Sequence, residues 1–325
     1  MRIGYFADGP WSHQALDRIL ATPELSVAFI VARFTSADPV LKQYADSLQI
    51  PYILHPNVND PQFLDWVKAQ EVDLLVSMSF DQILKPPMLT VAPLGFINCH
   101  AGALPFYRGR NVLNWALING ESSFGVTVHY IDEGIDTGDI ILQRHCPIAH
   151  HDDYASVLEK AYILCADTLH EALTLLASGQ ATRMKQSSIH PVGFYCCQRK
   201  PGDEWLDWGW PSERLYNFIR ALTIPGPGAR TWLQDRTVAI LRADMIPDSP
   251  AYLGRPGEVV GRDPLGVLVK TGDTCLRILQ VAFVDELGLS ETQSLQLPIG
   301  TRFIVDPWHE LALMKQRLAQ LERIN

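Results

Sequence analysis

Arg2-Ile3-Gly4-Tyr5-Phe6-Ala7-Asp8-Gly9-Pro10-Trp11 opens as a short apolar run and stops on a turn bearing Asp, Gly and Pro. No charged residue interrupts Ile3 to Ala7, which reads as a short apolar first β-strand. The turn lacks the GxGxxG fingerprint of a dinucleotide-binding strand–helix corner. The stretch thus predicts a doubly wound sheet and disfavours an NAD-type enzyme. It also lacks the basic segment, long apolar core and small-residue cleavage site of a secretory leader.

Beyond this strand the pattern predicts helices over 12–21, 40–48 and 60–69, alternating with strands over 27–32, 51–54 and 72–78. Such alternation implies an α/β fold, a doubly wound and mostly parallel sheet with helices on both faces. The pattern weakens between 187 and 207, where Ser-Ser, His-Pro and Lys-Pro-Gly suit a linker. Next come a helix over 212–222 and the turn Pro225-Gly226-Pro227-Gly228. Strands at 266–270 and 275–281 then flank Thr271-Gly272-Asp273-Thr274, a hairpin signal. The expected division is a catalytic domain over 1–190, a linker over 191–210, a small β-rich, barrel-like (OB-like) domain over 211–305 and a C-terminal helix over 306–325. On that helix Leu311, Met314, Leu318 and Leu321 are spaced 3, 4, 3. The seam either packs on its own domain or joins two copies.

Of the 325 residues, 47% are hydrophobic and 19% charged, a globular composition. No apolar run approaches the roughly 18 residues that cross a bilayer, so the chain is expected in the cytoplasm. Six cysteines form no CxxC pair, and Cys196-Cys197 on an extended segment would face opposite ways. No metal site is expected. The net charge is −9: Arg199 onward carries 15 Lys and Arg against 16 Asp and Glu, and the preceding residues 12 against 20. Neither part has the basic excess with which proteins replace phosphate counterions, so no nucleic-acid partner is expected.

Chemistry concentrates in Phe96-Ile97-Asn98-Cys99-His100-Ala101-Gly102-Ala103-Leu104-Pro105-Phe106-Tyr107-Arg108-Gly109-Arg110. Asn98 and His100 are two apart, so a strand projects them from one face. They sit near its carboxyl end, where open α/β sheets bind ligands. An amide donor beside a titratable base suits acyl transfer, the one holding an oxyanion and the other moving a proton. A histidine near a strand end is more often a structural hydrogen-bonding residue. Downstream, residues 125–140 read as strand, acidic glycine-bearing loop and strand, and Asp132, Glu133, Asp136 and Asp139 also suit plain turn carboxylates.

Five segments taken together resemble the formyltetrahydrofolate-dependent formyltransferases, sugar N-formyltransferases most of all. They are Asn98-Cys99-His100, Leu104-Pro105-x-Tyr107-Arg108-Gly109, Asn119-Gly120-Glu121, Gly125-Val126-Thr127-Val128-His129 and Ile135-Asp136-Thr137-Gly138-Asp139-Ile140. The resemblance implies Asn98, His100 and Asp136 as the catalytic trio and N10-formyltetrahydrofolate as donor. It places the pterin against Gln82, Ile83 and Leu84, and against Asp132, Glu133, Gly134, Ile135 and Asp136, mainly through backbone. It assigns Arg110 to a folate contact. One departure stands out, because Gly102 occupies the place of the family's usual serine.

The implied roles are an oxyanion donor (Asn98), a proton carrier (His100) and a carboxylate that orients the imidazole (Asp136). A second domain argues against glycinamide ribonucleotide as acceptor, and the absence of basic insertions argues against methionyl-tRNA. A nucleotide-diphosphate amino sugar on the route to a cell-surface polysaccharide fits best. Methionyl-tRNA is the alternative, and a silent folate-binding module is a reading of another class. A homodimer is expected, with no membrane partner.

Overall fold

The computed structural model describes residues 1–286, 288–304, 311, 314 and 315, which form two compact units. The first comprises Met1–Leu113, Ser122–Ala149 and Val157–Gln198. It begins with β1 (Arg2–Ala7), α1 (Gly9–Leu20), β2 (Ser26–Ala32), α2 (Pro39–Leu48), β3 (Tyr52–Leu54), α3 (Pro61–Lys68) and β4 (Leu74–Met78). The predicted alternation is present. Helix α1 starts three residues before the expected Ser12. Pro10 sits in its first turn, where the fixed φ of proline favours a helix start, so the Gly-Pro pair begins the helix instead of preceding it. Its buried residues Ser12, Ala15, Leu16 and Ile19 follow the helical period.

The chain continues through α4 (Pro86–Leu89), β5 (Phe96–His100), β6 (Arg108–Gly109), α5 (Val112–Ile118), β7 (Ser123–Tyr130), β8 (Ile140–Pro147), α6 (Tyr154–Ala177) and β9 (Tyr195–Cys196), of which most of α5 and the first residues of α6 belong to the second unit. The main sheet has the order β3-β2-β1-β4-β5-β7-β8. Pairings from β3 to β5 are parallel, whereas β7 and β8 add antiparallel strands. Between β1 and β4 the winding reverses, and Ala7, Met78 and Cys99 lie in one row near the carboxyl edge. Phe6, Phe29 and Phe96 fill the core behind that row, with Phe6 and Phe96 centroids 5.0 Å apart. Helix α6, which the sequence pattern above does not predict, buries Val157, Ala161, Cys165, Leu169, Ala172 and Leu176 along one stripe.

The second unit comprises Asn114–Glu121, His150–Ser156 and the chain from Arg199. It holds α7 (Ser212–Leu222), β10 (Ala229–Leu233), β11 (Arg236–Met245), β12 (Val259–Asp263), β13 (Gly266–Lys270), β14 (Cys275–Asp285), β15 (Gly288–Leu289) and β16 (Phe303–Ile304). The antiparallel order is β12-β13-β14-β11-β10-β16, with β15 on β14. The two ends approach closure, since Val259 N donates to Thr301 O and Phe303 N to Gly257 O, each at 2.8 Å. The sheet is thus barrel-like, as expected, and the predicted β13–β14 hairpin is present. Of the expected C-terminal helix only Leu311, Met314 and Lys315 are described. They are helical and exposed, while Leu318 and Leu321 lie outside the described residues.

Candidate active site

Strand β5 delivers Asn98 and His100 to the carboxyl edge, and antiparallel β7 sets His129 directly opposite Asn98. The loop between β7 and β8 then returns Asp136 to the same place. Asp136 Oδ2 lies 3.7 Å from His100 Nδ1, and its Oδ1 lies 3.6 Å from His129 Nε2. The structure therefore brings together Asn98, His100 and Asp136 and adds His129. In the sequence His129 is one residue of a motif and carries no role of its own. The signal that singles it out is the antiparallel register, which no strand periodicity reveals.

Each member is held by backbone groups. His100 Nε2 donates to the Tyr107 carbonyl at 2.7 Å, and His129 Nδ1 to the Tyr130 carbonyl at 2.8 Å. Gly109 N donates to Asp136 Oδ2 at 2.8 Å. Burial alone would push the Asp136 carboxyl up. The neighbouring His100 charge, the His129 hydrogen bond and charge, and the Gly109 N–H outweigh it and hold the carboxyl well below the ordinary carboxylate range. Asp136 also has φ +55°, a left-handed conformation that aspartate tolerates better than most residues. Gln186 fixes that bend: its Nε2 donates to the carbonyls of Asp136 (2.8 Å) and Gly138 (2.9 Å), and its Oε1 accepts from Arg108 Nη2 at 2.6 Å.

The glycine at position 102 has a local cause. A Cβ there would fall on the Tyr107 carbonyl and within 2.5 Å of His100 Nε2. The space a serine would take is used by the imidazole itself.

The remaining predicted residues sit on surrounding loops. Gln82 has its side chain committed, Oε1 accepting from Val58 N (2.9 Å) and Nε2 donating to His55 O (2.8 Å), so only its backbone is left for a ligand. Leu84 is buried, whereas Ile83 and Ile135 are 73% and 57% exposed. Asp132 Oδ1 accepts from Gly134 N (3.1 Å) and Thr137 Oγ1 (2.5 Å), which shapes the loop carrying Glu133. Arg110 is exposed, its Nη1 3.4 Å from Gln198 Oε1. Together these form a partly buried carboxylate between two imidazoles, an amide donor two residues from one of them, and apolar side chains at the rim. Such a set can orient an imidazole, move a proton and stabilise a developing oxyanion.

The chain matches the family described as formyl transferase over residues 27–173, and that described as formyl transferase, C-terminal domain, over 199–289. It is 39% identical over 235 residues to a methionyl-tRNA formyltransferase of Syntrophus aciditrophicus, covering 72% of this chain and 74% of that one. Its fold is similar to that of an N-formyltransferase from Helicobacter canadensis in complex with folinic acid and dTDP-3-aminofucose. There the TM-score is 0.63 at 19% identity, over 85% of this chain and 98% of that one. It is also similar to HypX from Aquifex aeolicus in complex with tetrahydrofolic acid, with a TM-score of 0.62 at 18% identity. That match covers 90% of this chain and 46% of HypX, so the chain spans about half the length of HypX.

Proposed function

The chain belongs to the formyl transferase family, and from that premise we propose that it carries the formyl group of N10-formyltetrahydrofolate to the amine of a nucleotide-diphosphate amino sugar. The observation that carries formyl transfer is the convergence of Asn98, His100 and Asp136 at the carboxyl edge of the sheet. The neutral amine attacks the formyl carbon and generates a tetrahedral oxyanion. Asn98 donates its amide hydrogen to that oxygen, an interaction whose loss typically costs about 2.7–4 kcal/mol of barrier. The formyl carbon–N10 bond then breaks as N10 gains a proton, and the amine surrenders one. His100 is the group that carries them, and Asp136 orients its ring. Gln82, Ile83, Leu84, Arg110 and residues 132–136 are the proposed folate contacts.

The acceptor rests on charge. With a net −9, and 15 basic against 16 acidic residues from Arg199 onward, the chain lacks the cationic excess that tRNA recognition uses. The Helicobacter canadensis protein, bound to an amino sugar on dTDP, has the same fold. A second reading, methionyl-tRNA as acceptor, is favoured by the name of the 39% identical relative. A panel of nucleotide-linked amino sugars and charged initiator tRNA, incubated with the folate donor, separates the two by mass. One added formyl group on a sugar amine is the expected result, and formylated methionyl-tRNA overturns the sugar reading while leaving the chemistry intact. The working form is a homodimer in this reading, and sedimentation as a monomer at micromolar concentration counts against it.

A further inference from the structure

We infer that Asn59 is a positioning residue for the donor: its carboxamide clasps the loop after β4 and holds that loop's backbone in the arrangement that receives the folate. This rests on the reading above, which puts the folate against Gln82, Ile83 and Leu84. The loop leaves β4 at the carboxyl edge, where Met78 pairs with Cys99, the residue between Asn98 and His100. From Ser79 to Lys85 it has no helix or strand of its own. Its shape is set instead by the turn between β3 and α3, through two carboxamides that cross in opposite directions. Gln82 reaches out to the turn, with Oε1 accepting from Val58 N at 2.9 Å and Nε2 donating to His55 O at 2.8 Å. Asn59 reaches back, with Nδ2 donating to the Ile83 carbonyl and Oδ1 accepting from Lys85 N, each at 2.8 Å.

The turn is the fixed side of this clasp. Asp60 caps α3, its Oδ1 accepting from Gln62 N at 2.9 Å, and the His55 ring stacks on Phe63 of the same helix with centroids 4.5 Å apart. Asn59 N donates to Asn57 Oδ1 at 3.1 Å, which holds its own backbone. On the loop side, Leu84 buries its side chain in the core, whereas Ile83 before it is exposed. A carboxamide offers a donor and an acceptor side by side, as a neighbouring strand would. Asn59 therefore spans Leu84 and fixes the backbone on both sides of it, while Gln82 ties the start of the loop. A ligand read through backbone groups binds only the fraction of molecules whose loop is already set, so its apparent affinity falls in proportion to that fraction. A loop correctly set about a tenth of the time would bind the donor about tenfold more weakly. The chemistry at Asn98, His100 and Asp136 would be unchanged once the donor is in place.

The test measures calorimetric binding of 5-formyltetrahydrofolate, whose formyl group sits on N5, alongside steady-state kinetics in the N10-formyl donor. Asn59→Asp keeps the size and an oxygen for Lys85 N, but sets a second oxygen against the Ile83 carbonyl. Asn59→Ala removes both contacts. Expected for each is a rise of at least about tenfold in the Kd of 5-formyltetrahydrofolate and in donor KM, with kcat at saturating donor within about threefold of wild type. The Asp variant should be impaired at least as much as the Ala variant, which an asparagine that only fills space would not require. An Asp variant that binds within about threefold of wild type, or a kcat that falls as far as donor KM rises, overturns the inference. Melting curves show which variants are folded; one folded variant decides, and loss of the fold in both makes Asn59 a structural residue and overturns it. Hydrogen exchange separates this from failure of the folate reading, since the Lys85 amide should exchange at least about tenfold faster in Asn59→Ala than in wild type. Unchanged exchange means that there is no clasp, and faster exchange with unchanged folate affinity means a clasp without a part in donor binding; either overturns the inference. A wild-type protein that binds no 5-formyltetrahydrofolate removes the underlying reading, and the donor role of Asn59 falls with it even where the exchange shows the clasp.

Discussion

His100 rests with Nε2 on the Tyr107 carbonyl and Nδ1 3.7 Å from Asp136, so in the proposed reaction its ring would have to turn to meet an amine. Catalytic hydrogen bonds are often long in a free enzyme and tighten around the substrate. Gly102 provides the space for the resting position, since a serine Cβ would meet both the His100 ring and the Tyr107 backbone carbonyl. Gly102→Ser is therefore expected to lower the melting temperature and to cut kcat by at least about tenfold, as ring and loop are both displaced. A variant with the melting temperature and kcat of wild type would show that neither the loop backbone nor the resting ring position matters to turnover. The charge of Asp136 can be tested in the same way. Asp136→Asn retains a residue that tolerates φ +55° and removes only the charge. Because the folded carboxyl titrates below its unfolded value of about 3.9, its stabilising effect is complete above that value. It is lost as pH falls through the lower folded value. Urea unfolding should then show wild type more stable than Asp136→Asn at pH 7, with the gap narrowing at pH 3. A gap that widens toward acid would contradict the charge assignment.

Between elements, the loop that carries Asp136 is held by a residue far from it in sequence. Gln186 is buried, and its amide spans the carbonyls of Asp136 and Gly138 on one side and the Arg108 guanidinium on the other. Gln186→Leu would leave those carbonyls unpaired, at about 1–3 kcal/mol for each buried group. The expected outcome is a lower melting temperature together with a fall in kcat/KM of at least about tenfold as the Asp136 bend relaxes. Loss of stability alone, with kcat/KM intact, would reduce Gln186 to a structural pin. The same residue marks the limit of what the sequence discloses. A two-residue spacing is enough to pair Asn98 with His100, because strand geometry is local. Asp136 and the loop contacts are legible only through resemblance, since their closeness depends on how β7 turns back along β5. His129 and Gln186 require the fold itself: one meets Asn98 through an antiparallel register within a sheet expected to be mostly parallel, the other arrives 50 residues after Asp136. Helix α6 shows the converse, where a regular apolar stripe is present in the sequence without having been predicted as a helix.

For the whole molecule the relevant quantity is charge, because it separates the two acceptors by a property that no single contact sets. A tRNA presents many phosphates, and each one neutralised releases counterions, so affinity falls by about 0.7–0.9 log units per log unit of salt for every phosphate engaged. A nucleotide-diphosphate sugar brings two phosphates, and its salt dependence should be shallow, with a slope of no more than about 2. This chain has a net charge of −9, with 12 basic against 20 acidic residues before Arg199 and near balance after it. Two guanidinium groups on the loop that follows His100 are Arg108, whose Nε and Nη2 are engaged by Gln186, and Arg110, which is exposed. Two such groups suffice for a diphosphate, whereas a nucleic-acid footprint draws on a cationic excess that the net charge of this chain does not supply. Measured as log(kcat/KM) for the acceptor against log[salt] from about 50 to 300 mM, the slope is expected to lie near −1 to −2, and Arg110→Ala should make it shallower by about one unit if that side chain meets a phosphate. A slope of about −4 or steeper would require a polyanionic acceptor, and the tRNA reading would then replace the sugar while the chemistry at Asn98, His100 and Asp136 stayed as proposed.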